Sequence, residues 1–249
     1  MRTYFNINYE PDRANALSLI DKHSCSTDKA EYVCVADGNI LAMVHRDSEY
    51  RTIINDSMFS IVDSSWVPLY IKWIYGYKWQ QYCGSQIFHD IISLKKYRML
   101  FLGTSQYTLD ALKSKLVNEY DESINDMTFY ELPFCNVDEF DYEAIANFIN
   151  NDNPDIIWVA LGAPKQEIFM NKLKPHLNRG VMIAVGAVFK FYSGVGEQRA
   201  PKWMINHHME FVYRIFKEPK KQLSRVSSII TALPAIYYEE YKRAKINKC

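Results

Sequence analysis

The stretch Asp155-Ile-Ile-Trp-Val-Ala-Leu-Gly-Ala-Pro-Lys-Gln-Glu-Ile-Phe-Met170 constrains the fold more than any other part of the chain. Its apolar half, Ile156 to Leu161, shows no alternation, the pattern of a central strand covered on both faces. Gly162 then turns the chain and Pro164 opens a helix. Proline costs little there, because the first amide of a helix has no intrahelical acceptor in any case. Gly162 lets a ligand approach the backbone closely, and the helix start behind it carries roughly half a positive charge. That suits a phosphate or another anion. An ordinary strand-to-helix turn has the same local pattern, so pattern alone does not separate the two.

The same grammar recurs along the chain. Glu31 to Ala36, Phe59 to Val62, Arg98 to Gly103, Met127 to Leu132 and Val181 to Gly186 read as further strands. Between them lie helical patterns: Asp12 to His23, a stretch from Ile40 to Ile54 interrupted near Asp47-Ser48, and Trp66 to Gly76 capped by Ser64 or Ser65. Others run from Gly84 to about Tyr97, from Thr104-Ser105 through Val117, and from Phe140 to Ile149. Beyond Gly186 the sequence reads as a loop with Gly194, Gly196, Arg199 and Pro201. Strands alternating with helices imply an α/β, Rossmann-like parallel sheet with helices on both faces. Ligands of such sheets lie beyond the carboxyl ends of the strands, where Asp37, Asp63, Gly103, Gly162 and Gly186 fall.

Charge divides the chain. The net charge of the 249 residues is zero, yet Arg214 to Cys249 holds nine Lys/Arg against three Glu, and residues 1–213 twenty against twenty-six. The expected organisation is a core over residues 1–200 and a basic, amphipathic helical appendage over 201–249. In that appendage Leu223, Val226, Ile229, Ile230, Leu233, Ile236 and Tyr237 recur at helical spacing, with Pro234 as a kink. Such a stripe packs on its own domain, on a second copy of the chain, or on an anionic membrane surface. No run is long enough to span a membrane, and Met1 to Asn8 has no apolar signal core. Cysteines 25, 34, 83, 135 and 249 form no CxxC pair, as expected of reduced cytosolic thiols.

Two carboxylates end apolar strands. Asp63 is placed to take a proton from an attacking hydroxyl, and Asp37, followed by Gly38, offers the same choice. Either residue could equally cap the helix behind it, the commoner fate of Asp at such a place. Gly103-Thr104 is a second turn suited to a phosphate or ribose, though it lacks the glycines of a dinucleotide fingerprint. His207-His208 has no third ligand at a useful spacing, and no Asp-x-Asp pair is present to hold Mg²⁺ on a diphosphate. The expectation is therefore no metal and no cofactor, with anionic charge met by Arg, Lys and helix amino termini. Nothing beyond generic architecture supports a nicotinamide cofactor, and no feature calls for nucleic acid.

Three blocks taken together are more specific: Ala160 to Glu167, Val185-Gly186 with Phe189 and Ser193-Gly194, and Arg199-Ala-Pro201 followed by Met209 to Pro219. In this order and spacing the chain resembles the WecG/TagA/CpsF family of bacterial glycosyltransferases (glycosyltransferase family 26). The resemblance implies an inverting, metal-independent transferase. The donor would be a UDP-sugar, often of N-acetylmannosamine or its uronic acid. The acceptor would be a polyprenyl-diphosphate-linked saccharide at the cytoplasmic face of the plasma membrane, which makes the protein a peripheral one.

Carried over by position, the family's Asp-Gly pair, whose Asp is the proposed base, falls on Asp63-Ser64. Its Thr-Pro-Asn-x-Glu pattern falls on Val35-Ala-Asp-Gly-Asn39, so Asp37 and Asn39 take sugar-recognition positions with altered chemistry. An arginine of the family becomes Gln81, and an aspartate becomes Lys190. Gln166, Arg199 and Arg214 match directly, and Lys220, Lys221 and Arg225 stand where relatives carry further arginines. The resemblance thus assigns Asp63 to catalysis. It assigns Asp37, Asn39, Gln81, Gln166, Arg199, Arg214, Lys221 and Arg225 to substrate binding, and the strand-end turn pattern adds Gly103, Thr104 and Gly162. The departures keep two other readings open: a nucleotide-sugar-binding accessory of another transferase, and a nucleotide-dependent oxidoreductase.

Overall fold

The structure is a computed structural model that describes residues 2–26, 28–120, 126–195 and 219–246, with the backbone alone at 120 and 219–225. Its strands are β1 Arg2–Tyr4, β2 Ile7–Tyr9, β3 Glu31–Ala36, β4 Phe59–Val62, β5 Met99–Leu102, β6 Met127–Tyr130, β7 Ile156–Val159 and β8 Val181–Ala184. They form one sheet in the order β1-β2-β4-β3-β8-β7-β5-β6. Among the described residues only the β1–β2 pairing is antiparallel. The expected Rossmann-like α/β architecture is the observed one.

The unalternating strands follow from burial on both faces. Tyr32, Cys34 and Ala36 of β3 enter one apolar layer and Val33 and Val35 the other. The same split places Ile157 and Val159 of β7 opposite Ile156 and Trp158. The helices are α1 Arg13–Ser24, α2 Gly38–Arg46, α3 Ser48–Asn55, α4 Trp66–Tyr75, α5 Gly84–Ser93, α6 Gln106–Tyr120, α7 Tyr142–Asp152, α8 Lys165–Leu173, α9 Val188–Ser193 and α10 Pro219–Ile246. After β3 the chain crosses to the first layer through α2, and after neighbouring β8 to the second through α9. β7 and β5, also neighbours, send α8 and α6 to opposite faces in the same way. Connections that part like this open a crevice at the carboxyl edge of the sheet.

Some elements differ from expectation. The β1–β2 hairpin has no counterpart in the sequence pattern, α9 replaces part of the loop after Gly186, and α5 stops at Ser93 rather than near Tyr97. Pro164 is the N-cap of α8 rather than its first residue. The interruption near Asp47 is real: Asp47 ends α2 and caps α3 through the amides of Glu49 and Tyr50.

Helix α10 lies against α2 and α4. Ala232, Leu233, Ile236 and Ala244 enter the first apolar layer. Glu240, only 2% exposed, accepts from the Phe5 amide (2.9 Å) and the Tyr75 hydroxyl (2.7 Å). Arg46 of α2 reaches Ser228 and Thr231. Of the stripe read from sequence, Leu233 and Ile236 are buried, Ile229 and Tyr237 half-buried, and Ile230 faces outward. Among the described residues no helix is long and apolar enough to cross a membrane.

Candidate active site

The carboxyl edge brings the two strand-end aspartates together. Ala36 pairs with Val62 in register, and the Asp63 amide donates to the Ala36 carbonyl at 3.1 Å. Asp37 and Asp63 therefore leave neighbouring strands side by side, with about 5 Å between the two backbones. Their surroundings differ. One carboxylate oxygen of Asp37 accepts from the amides of Asn39 and Ile40, both at 2.9 Å, and so caps α2. Asp63 sits half-buried where the irregular segment before α5 folds over the end of β4, fixed by the Tyr82 amide on the Val62 carbonyl at 2.8 Å. The Gln81 side chain donates to the backbone carbonyl of Asp63 at 2.6 Å. Beside them opens a hollow of about 410 Å³ lined by Ser65, Trp66, Pro68, Leu69 and Gln81. Gln81 thus both lines the hollow and touches the backbone of Asp63.

Across the crevice, Gln166 ties two turns together. Its side-chain oxygen accepts from the amides of Gly162 (3.1 Å) and Gly186 (3.0 Å), and its nitrogen donates to Glu167 at 2.8 Å. Gln166 is 4% exposed, so in this structure it is a brace between the ends of β7 and β8 rather than an open contact for substrate. Glu167 is wholly buried and also accepts from the Tyr50 hydroxyl at 3.1 Å. Burial pushes its carboxyl up to about 7, and the nearby charge of Asp37 adds to the rise. The Cys34 thiol is raised too, first by burial and then by Glu167. Reasoning from sequence misses both Tyr50 and Glu167. A signal is present, for Glu167 stands three residues before Met170 on the buried face of α8.

The two glycine turns are tied internally. The Gly103 amide donates to the Tyr130 carbonyl at 3.1 Å, and that of Gly162 is held by Gln166. Neither amide is presented to a phosphate here. Gly103 is required for shape: its φ is +108°, and a β-carbon would stand 3.2 Å from the Ala160 carbonyl oxygen. Thr104 comes next, half-buried and also left-handed, leading to α6. Asn39 lies in the first turn of α2, its side chain 3.5 Å from the Met43 sulfur. Arg199, Arg214 and His207-His208 lie outside the described residues, and Lys221 and Arg225 are described only as backbone in the first turns of α10. That helix passes close to Asp37: a β-carbon on Gly38 would be 3.4 Å from Ile229. Arg225 is one helical turn and Lys221 two turns before Ile229, about 6 and 12 Å along the axis. Among the described residues no group of three His, Cys, Asp or Glu converges as metal ligands.

Residues 2–247 match the family model described as Glycosyl transferase WecG/TagA/CpsF family. The chain belongs to that family. It is a glycosyltransferase, and the match spans nearly its whole length. Among curated proteins it is similar to the N-acetylglucosaminyldiphosphoundecaprenol N-acetyl-beta-D-mannosaminyltransferase of Bacillus subtilis (strain 168), 26% identical over 240 residues, covering 93% of this chain and 90% of that protein. The protein of the same description from Bacillus spizizenii is 24% identical over 221 residues, covering 88% of this chain and 83% of that one.

Proposed function

We infer that this transferase moves an N-acetylmannosamine-like hexose from a UDP donor to a polyprenyl-diphosphate-linked saccharide, with inversion, and that Asp63 is the base. The acceptor hydroxyl oxygen bonds to the anomeric carbon while the bond from that carbon to the UDP oxygen breaks. The hydroxyl proton passes to Asp63 and UDP leaves with the electron pair. The observation that carries this reading is the place of Asp63 at the carboxyl end of β4, where Gln81, which lines the hollow, holds its backbone carbonyl. The acceptor class is supported by the relatives' names, which specify a diphosphoundecaprenol carrier.

With the Gly103 and Gly162 amides engaged internally, the donor diphosphate requires cations from elsewhere. Arg199 and Arg214 are assigned this role with Lys221 and Arg225, because Ile229 against Gly38 carries the start of α10 past the Asp37 edge. Charge neutralisation by these side chains makes a metal unnecessary. A UDP-sugar screen against a lipid-diphosphate saccharide, with the product identified by mass, tests the reading. UDP-N-acetylmannosamine should give one added N-acetylhexosamine, and activity should be unchanged in EDTA. Transfer from no UDP-sugar would remove the proposed donor class, and an absolute need for Mg²⁺ or Mn²⁺ would remove the cation assignment. The same acceptor places the enzyme at the inner face of the plasma membrane.

A further inference from the structure

The β7–β8 ladder runs out where the site begins. The Val185 amide still donates to the Val159 carbonyl at 2.9 Å. Beyond it one strand turns at Gly162 toward α8 and the other at Gly186 toward α9. These two turns occupy the middle of the carboxyl edge, with β3 and Asp37 on one side and β5 and Gly103 on the other. Gln166 joins them through one oxygen, which accepts from both glycine amides. That works in one orientation of its amide group only. With oxygen and nitrogen exchanged, an NH₂ group would face two N–H donors. Glu167 removes the choice, because its Oε1 accepts from the Gln166 Nε2 at 2.8 Å. Tyr50, on α3, donates its hydroxyl to the other carboxyl oxygen at 3.1 Å. Tyr50 is 3% and Glu167 0% exposed, so bulk water cannot replace either partner.

We propose that Glu167, oriented by Tyr50, is a positioning residue of the transfer reaction: it fixes the Gln166 amide and, through it, the spacing of the two turns against which the donor lies. Burying a carboxyl in an apolar layer is costly, and a leucine of similar size would fill the space at lower cost. What the carboxyl supplies, and leucine cannot, is a pair of acceptors in fixed places. The brace runs close under the turn it holds. Gly186 has φ +54°, and a β-carbon there would stand 3.7 Å from the Gln166 oxygen. A misplacement of about 1 Å at such a turn is enough to slow a reaction about a hundredfold. Wholly buried, Glu167 does not reach substrate itself and acts through Gln166. The inference rests on the UDP-donor reading above, since the turns matter to the rate only if the donor lies against them.

The test is a double-mutant cycle on the full chain, with UDP-N-acetylmannosamine and a lipid-diphosphate saccharide as substrates. Glu167→Leu and Gln166→Ala should each lower kcat by roughly tenfold to a hundredfold, with KM changed less. The double variant should be no slower than Gln166→Ala alone, because both changes remove the same brace. Glu167→Gln should keep kcat within roughly a few-fold of the wild type: its side-chain oxygen still accepts from Gln166, and its NH₂ meets the Tyr50 hydroxyl oxygen. Hydrogen exchange at the Gly162 and Gly186 amides reads the brace apart from turnover. Both should exchange roughly tenfold or more faster in Glu167→Leu and not in Glu167→Gln. Losses that multiply in the double variant overturn the proposal. If Glu167→Leu does not fold, Tyr50→Phe carries the test. It should slow turnover several-fold in the wild-type background and not in Gln166→Ala, and an equal effect in both overturns the proposal. A wild type that transfers from no UDP-sugar removes the donor reading, and with it the role in transfer, while the exchange pattern decides whether Glu167 holds the turns. Wild-type kcat and unchanged exchange in Glu167→Leu remove the positioning role and spare the donor reading.

Discussion

Asp37 and Asp63 occupy equivalent places, each the first residue beyond one of two neighbouring parallel strands. The segments that leave the two strands set them apart. At β3 the helix begins at once, and its unpaired amides draw in the Asp37 carboxylate. At β4 the helix begins later, at Trp66, and Ser64 supplies its oxygen to the Trp66 amide at 3.3 Å. The point at which each helix begins thus separates the two strand ends.

The largest test of that contrast is Asp63→Asn. Loss of base assistance should lower kcat by about 10²–10⁴-fold, with UDP affinity, measured by calorimetry, nearly unchanged. An unaltered kcat would move the role away from Asp63 and erase the distinction between the two strand ends.

Next in size is Glu167, which lies beneath the site and feels the charge of Asp37. Its carboxyl is raised in the folded protein from the ordinary 4.5 to about 7. Between those values the folded state binds more protons than the unfolded chain, so stability falls as pH rises through that window. The contribution is fully present below about pH 4.5, and by about pH 8 the protein should have lost about 3 kcal/mol of it. Glu167→Gln carries no such proton. Urea unfolding at about pH 5 and pH 8 should show the variant gaining on the wild type as pH rises. A constant stability difference across that range would mean that Glu167 is not held protonated by burial.

Much of this is legible from residue order, and the failures have physical causes. β3 and β4 can be bounded from sequence because strands buried on both faces leave uninterrupted apolar runs. The β1–β2 hairpin escapes notice because its turn, Phe5-Asn6, takes the left-handed region at both residues without a glycine. It is tied down by Glu240, 235 residues away from Phe5, which no local pattern reports. Helix α9 reads as loop because Gly186 and Gly194 flank it, whereas Gly194 is its left-handed cap. At the site, Asp63 and Gln81 each stand out in the sequence, and the fold adds their contact across 18 residues. The brace of Gln166 on two turns is hidden, since sequence shows that an amide is present but not which amides it accepts from.

The smallest expected effect is at Asp37, and it sharpens the comparison most. Asn caps a helix about as well as Asp, so Asp37→Asn should leave stability almost unchanged, while Asp37→Ala should cost about 1 kcal/mol. Neither should approach the loss in kcat expected of Asp63→Asn. Because a retained cap leaves α2 in place, Asp37→Asn should stay within roughly a few-fold of the wild-type kcat. Its one specific trace should appear at a distance. Removing the Asp37 charge lowers the carboxyl of Glu167, because that charge is among the causes of its rise. The fall in stability with pH should therefore begin lower in Asp37→Asn than in the wild type, and the double variant with Glu167→Gln should show no such fall from this pair. If Asp37→Asn instead abolishes turnover while folding normally, Asp37 acts on substrate through its charge. The two strand ends would then share the chemistry rather than divide it.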